Sequence, residues 1–360
     1  MKTYECSCGN ALFFENSKCI GCGADVGWCP GCECITTLLS ADGGTYLCGN
    51  ADCGMRLAKC HNYEIENVCN RCITMPAGPS DAPGLCDCCI HNDTIPDLSV
   101  AENREKWAHL EAAKRRLFYT LDLLGLPRGI PGKNELLPLM FDFKADVIPT
   151  NEFWRKVGES EQVYTGHANG KITINIREAD SVEREALRID LGEAHRTLVG
   201  HFRHEIGHYY WDLLVSGQCE PECVAVFGDH EHPTYAEALE RHYEHGAPVG
   251  WEENFVSSYA TMHPWEDFAE SFATWLDLIE VLDSARNVGF YGVPDLGTAT
   301  TEAMVSSYRR IGIAMNEMNR TMGLLDFLPE VLTSPVVDKL RFVHQLIRNA
   351  VENTTTVTQR

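Results

Sequence analysis

One stretch limits what this chain can become: His201-Phe202-Arg203-His204-Glu205-Ile206-Gly207-His208-Tyr209-Tyr210-Trp211-Asp212-Leu213-Leu214-Val215. Its apolar residues recur at roughly helical spacing, so it reads as a buried helix. Residues four apart share a helix face. His204 and His208 can therefore aim imidazole nitrogens at one ion. Glu205, one step round, can reach a water on that ion without taking a ligand position. Two nitrogen ligands, a third ligand and a carboxylate base beside an open position are what a zinc hydrolase requires. From these residues alone, a helix that merely buries two histidines reads the same.

A second stretch supplies the missing ligand. In His263-Pro264-Trp265-Glu266-Asp267-Phe268-Ala269-Glu270, Pro264 suits a first helical position. Trp265, Phe268, Ala269, Phe272 and Leu276 form an apolar stripe, and Glu266 and Glu270 lie four apart on one face. A helix dipole would account for Glu266 in the first turn, but not for a second acid among bulky apolar neighbours. The pattern points to Glu266 as third zinc ligand and Glu270 as the carboxylate orienting a ligand histidine. Asp212, four residues past His208, either accepts from a ligand histidine or faces solvent.

H-E-x-x-H followed by a helical Glu, with an acid four residues later, resembles the gluzincins, the thermolysin-type metallopeptidases. The run Glu266-Asp267-Phe268-Ala269-Glu270 is similar to the E-F-F-A-E run of anthrax lethal factor. That peptidase has a tyrosine seven residues before its zinc-ligand Glu, the offset at which Tyr259 stands here. More closely, His201 to Trp211 with His263 to Ala269 resemble a bacterial family of zinc-binding metallopeptidases. In that family a cysteine-rich zinc-ribbon region precedes the catalytic domain, and the likeness covers nearly the whole chain. The resemblance implies Glu205 as general base and Tyr259 as a hydrogen donor to the oxyanion or the leaving amine. It also implies that the strand before the His204 helix, Asn169 to Ile176, is a sheet edge along which a peptide substrate lies.

Composition narrows the remaining classes. Of 17 cysteines, 15 precede residue 90. The start has no apolar signal segment, so clustered thiols read as metal ligands in a reducing, cytoplasmic setting rather than as disulfides. No apolar run is long enough to span a membrane. The net charge is −22, which argues against duplex nucleic acid as a partner. Residues 1–100 hold five Lys and Arg against twelve Asp and Glu, so the cysteine region presents no basic face either.

The cysteines fall into sets. Cys6, Cys8, Cys19 and Cys22 form two close pairs with glycines at the turns, a closed structural zinc site. Cys29, Cys32, Cys48 and Cys53 form a second, with a strand from Ile35 to Leu39 and a turn at Asp42-Gly43-Gly44 between the pairs. The related family often lacks this second ribbon. A third set is Cys60, Cys69, Cys86 and Cys89. Spacing alone favours Cys72 over Cys60, whereas the resemblance, through Cys60-His61-Asn62-Tyr63-Glu64 and Cys69-Asn70, favours Cys60. Cys34, Cys72 and Cys88 are left over as small buried or free thiols or as further ligands, and Cys219 and Cys223, four apart with Pro221 between, as free thiols that could pair under oxidation.

Further along, Pro76 to Gly84 reads as a loop and Ala101 to Leu124 as an amphipathic packing helix, charged on its outer face. Leu137 to Phe143, Gln162 to Tyr164 and Lys171 to Ile176 read as strands. A charged segment, Glu178 to Arg188, follows. Tyr235 to His245, Thr301 to Met322 and Pro335 to Ala350 read as helices, His242 and His245 as surface residues or, alternatively, residues lining the cleft, and Thr354 to Arg360 as a frayed end. His201 and Arg203 have no assignable chemistry.

The expectation is an α+β chain. Residues 1–98 form a zinc-ribbon region with two to three sites of four cysteines each. Residues 99–360 form a mainly helical domain with a small mixed sheet, which the resemblance makes zincin-like. The cofactor is Zn²⁺, one catalytic ion and two to three structural ones. The activity is that of a zinc metalloendopeptidase acting on a peptide or protein, with the ribbons stabilising the chain or recruiting a protein partner, and with no nucleic-acid or membrane partner. The competing reading is a ribbon adaptor attached to a catalytically silent or non-proteolytic zincin fold.

Overall fold

The computed structural model describes residues 1–75, 84–146, 163, 165–180, 197–290, 292–328 and 331–358. The strand expected at Gln162 to Tyr164, the loop at Pro76 to Gly84 and the far part of the Glu178 to Arg188 segment lie largely outside those residues.

The cysteine-rich region is built from short strands. A two-stranded ladder, β1 (Tyr4–Glu5) and β2 (Ala11–Leu12), comes first. A five-stranded antiparallel sheet follows in chain order: β3 (Val26–Cys29), β4 (Cys34–Ala41), β5 (Thr45–Cys48), β6 (Arg56–Lys59) and β7 (Cys72–Thr74). The short helix α1 (His61–Glu64) interrupts it between β6 and β7. Cysteines sit at strand ends, where the chain must turn and where paired thiols can converge.

A second, mixed sheet has the order β10-β11-β9-β8. Its strands are β8 (Asn92–Thr94), β9 (Met140–Lys144), β10 (Gly166–Ala168) and β11 (Lys171–Asn175). β8 and β11 run parallel to β9, and β10 runs antiparallel to β11. Phe141, Phe143, Ile172 and Ile174 are fully buried on it. The helices are α2 (Asn103–Leu124), α3 (Leu198–Tyr210), α4 (Glu220–Phe227), α5 (Tyr235–His245), α6 (Pro264–Asn287), α7 (Thr301–Thr321) and α8 (Ser334–Thr358). The fold is α+β, a strand-built cysteine region followed by a helical unit with a small sheet. The helical backbone of α8 runs on through the threonines expected to fray, as propagation from a packed helix allows.

Two expectations need correction. The segment Asn169 to Ile176 is not an edge strand: β11 is paired on both sides, by β10 and β9. Asn169 and Gly170 have φ of 50° and 79°. They form a tight Asn-Gly turn that folds β10 back as the outer strand. Nor is α2 charged only on its solvent side, since Glu111, Lys114 and Arg115 are buried. Lys114 pairs with Glu111 at 3.0 Å, Asn92 and Trp107 donate to Glu111 at 2.6 and 3.1 Å, and Arg115 donates to the Val68 carbonyl at 2.7 Å. Their partners come from the cysteine region and β8, which a periodicity argument cannot see. Buried charges need such partners.

α3 is the central helix. Phe202, Ile206, Tyr209 and Tyr210 are fully buried. Thr197 caps it, accepting from the Gly200 amide at 3.0 Å. Tyr209 Oη donates to the Leu137 carbonyl at 2.8 Å, which ties α3 to the segment leading into β9. Arg203 has a structural role, because its guanidinium pairs with Asp277 and Glu280 of α6.

Candidate metal centre

α3 and α6 cross with their backbones in close approach. A Cβ on Gly207 would lie 2.8 Å from the Cα of Ala269 and 3.0 Å from its carbonyl oxygen. Only glycine fits there without spreading the helices, and the crossing brings His204 and His208 against Glu266 and Glu270. Pro264 opens α6, and His263 caps it by accepting from the Trp265 amide at 3.1 Å.

Three donor atoms meet at this crossing. His204 Nε2 lies 3.1 Å from His208 Nε2 and 3.0 Å from Glu266 Oε2, and the third side of the triangle is 3.4 Å. Donors held tetrahedrally about 2.0–2.1 Å from zinc would be roughly 3.3 Å apart. Glu266 Oε2 has no hydrogen-bond partner among the described residues. Two carboxylates and two imidazoles in a buried spot favour a cation. Burial alone would raise the Glu266 carboxyl, but the imidazoles beside it outweigh burial and hold it below the usual range. Burial opposes charge on His204, yet Glu266 and Glu270 raise its pKa well above the ordinary value. The donor set fits zinc.

The surroundings orient each donor. Glu270 Oε1 sits 2.6 Å from His204 Nδ1 and accepts its hydrogen, leaving Nε2 free for a metal. His208 Nδ1 is buried without a hydrogen-bond partner among the described residues, and the His208 ring is held by Trp265, whose ring centroid lies 3.8 Å away. Asp212 does not orient a ligand histidine. The helix widens to a π turn over Trp211–Val215. Asp212 lies 3.9 Å from His167 Nδ1 on β10 instead. His167 in turn stacks 6.4 Å from His208.

Glu205 is buried and its Oε2 has no hydrogen-bond partner among the described residues. Burial pushes its carboxyl up to about 7, helped by Glu266 and opposed by His204. Tyr259, in a turn just before α6, has its ring 5.9 Å from that of His204. Burial and nearby Glu266 raise its phenol. His242 is half-buried with its ring 6.0 Å from Tyr259, whereas His245 is exposed. His201 pairs with Glu178. Sequence reasoning missed Tyr235, whose hydroxyl donates to Glu266 Oε1 at 2.9 Å, and Gly207. The small residue inside H-E-x-x-H was the available sign of a close helix crossing.

The cysteines gather into three clusters: Cys6, Cys8, Cys19 and Cys22; Cys29, Cys32, Cys48 and Cys53; and Cys60, Cys69, Cys86 and Cys89. Their sulfurs stand 3.7 Å apart for Cys6–Cys22 and Cys8–Cys19, 3.8 Å for Cys29–Cys53, 3.7 Å for Cys32–Cys48 and 3.9 Å for Cys69–Cys86. That is far beyond a disulfide bond and close to the roughly 3.8 Å edge of a tetrahedral Zn–S₄ site. Cys60, not Cys72, joins the third cluster. Cys72 opens β7 and is held in register with Lys59, and burial pushes its thiol up to about 12. Cys88 is a buried thiol raised to about 12 in the same way. Cys34, Cys219 and Cys223 are free.

These features define a metal-binding chain of two parts, cysteine clusters followed by a helical unit with a His-His-Glu pocket. The chain belongs to the family described as "putative zinc-binding metallo-peptidase", whose model matches residues 103–346, and a zinc-ribbon domain matches residues 3–100. It is similar to an uncharacterized protein of Mycobacterium tuberculosis and to one of Mycobacterium bovis. Each is 36% identical over 357 residues, covering 96% of this chain and 95% of the relative. No solved structure matches it. No helix among the described residues is long and apolar enough to cross a membrane.

Proposed function

We propose that the chain is a gluzincin-like zinc endopeptidase with His204, His208 and Glu266 as ligands and Glu205 as general base. The observation that carries this is the triangle of donors, 3.0 to 3.4 Å on a side, beside a buried carboxylate whose Oε2 has no hydrogen-bond partner among the described residues. A bound zinc ion would supply Lewis acidity, polarising a peptide carbonyl and acidifying a water. Glu205, a buried carboxyl next in sequence to the ligand His204, is suited to take that water's proton and return it to the leaving amine. Glu270 keeps His204 in the tautomer a ligand needs. Tyr259 donates its phenol hydrogen to the developing oxyanion or to the amine. An extended peptide would pair with β10, the outer strand nearest α3.

The cysteine region, residues 1–98, would hold three zinc ions, making four per chain with the one in the domain at 99–360. The third cluster shares its core with α2, which favours stabilisation over partner recruitment as its role. The many unpaired thiols suit a reducing, cytoplasmic setting. The test is Glu205→Gln, assayed on unfolded-protein and peptide libraries. Turnover should fall by roughly 10²–10⁴-fold while zinc content and thermal stability stay at wild-type values. Wild-type turnover in the variant would remove Glu205 as base. A wild-type chain that cleaves nothing, while holding four zinc ions, would favour a silent fold.

A further inference from the structure

We infer that Tyr235 is a positioning residue through which helix α5 acts as a flap, its docking coupled to occupancy of the His204–His208–Glu266 centre. This rests on the metal-site reading above but not on peptidase activity.

The flap is a preformed unit loosely held. α5 carries a complete capping box, Thr234 with Glu237, so its first turn is stabilised from within. Ala238 is its one buried residue among the described side chains. Chain reversals with positive φ flank it, at Gly228 (100°), Gly246 (69°) and Gly250 (79°). A helix with so little apolar burial gains little from packing, so a few contacts must decide whether it stays docked: those of Tyr235 at its start and the ring of His242 against Tyr259.

Those contacts converge on the metal centre. The Tyr235 hydroxyl donates to Glu266 Oε1 at 2.9 Å. Its ring meets His263 at 5.4 Å and Trp265 at 5.8 Å, both edge to face. Trp265 lies on the His208 ring. Tyr235 therefore holds one oxygen of Glu266 and leaves Oε2 turned to the two imidazoles. An ion on Oε2 would fix the Glu266 rotamer and so present Oε1 to Tyr235. An undocked flap would free that carboxylate to rotate. Each event favours the other, and by linkage the factor is the same in both directions.

The test uses full-length zinc-loaded protein and reads metal and hydrogen exchange. Tyr235→Phe should release one zinc at roughly 10–100-fold lower chelator strength than wild type, with the others retained. In wild type, loss of that zinc should speed amide exchange across residues 235–245 by a similar factor. In Tyr235→Phe, exchange there should be fast whether or not the ion is present. Glu240→Gln, on the exposed side of the same helix, should match wild type in both readouts. His204→Ala, which should lack one zinc from the start, separates the two ways of failing. A full zinc complement in His204→Ala overturns the metal site itself. One zinc lost there, with wild-type retention in Tyr235→Phe or zinc-independent exchange in wild type, overturns the coupling alone.

Discussion

The Cys60–Cys69–Cys86–Cys89 cluster and the His204–His208–Glu266 pocket lie at similar depth, yet they are built to opposite ends. The cluster offers four donors, all buried, and so a closed site. Four thiolates around one dication carry roughly −2, and buried cations gather round them. Arg71 and Lys114 are fully buried, and Arg115 acts on Cys69. The pocket offers three donors, with the Glu205 side chain buried next in sequence to His204 and the Tyr259 ring 5.9 Å from that of His204. Saturated coordination with balanced charge stabilises a fold. Three donors beside a buried carboxyl would leave room for chemistry.

The largest test of this contrast removes one thiolate from the closed site. Cys69→Ser would take one thiolate from a site whose four donors are all buried, and where a metal site is coupled to folding its loss removes folding free energy directly. Thermal unfolding should show a large loss of stability or no folded protein at all. Cys8→Ser, in a cluster with two exposed cysteines, should be the milder change. Equal losses would erase the distinction between the sites. On the open side, Tyr259→Phe should lower kcat by roughly 10–1000-fold with thermal stability unchanged. A matching fall in stability would make Tyr259 structural. The smallest effect is expected at the helix crossing, where Gly207→Ala forces a Cβ against Ala269. Overpacking of this kind costs about 1–3 kcal/mol. Calorimetry should find that loss, accompanied by weaker zinc retention, and unchanged retention would mean that the crossing does not set the pocket.

The elements that carry the pocket could be read from local pattern. Helical spacing set His204 and His208 on one face, Pro264 marked the start of α6, and the four-residue step from Glu266 to Glu270 gave two acids on one side. What escaped depended on distant partners or on backbone detail. The charges of α2 face inward because Asn92, Val68 and the third cluster meet them. The Asn169-Gly170 turn hid inside a segment read by its isoleucines, so the outer strand was misplaced by one hairpin. Cys72 has the better spacing, but the β6–β7 ladder holds it out of the cluster. Asp212 has His167 of β10 as its neighbour, a residue from another element that helical spacing does not reveal. Tyr235 sits on a helix that looks solvent-facing, and nothing local links it to Glu266.

The most direct test of the account is anomalous diffraction at the zinc edge from crystals of the zinc-loaded protein. Three peaks should fall within the cysteine clusters and a fourth about 2.0–2.1 Å from His204 Nε2, His208 Nε2 and Glu266 Oε2. A map with the cysteine peaks but none between α3 and α6, after zinc loading, would contradict it.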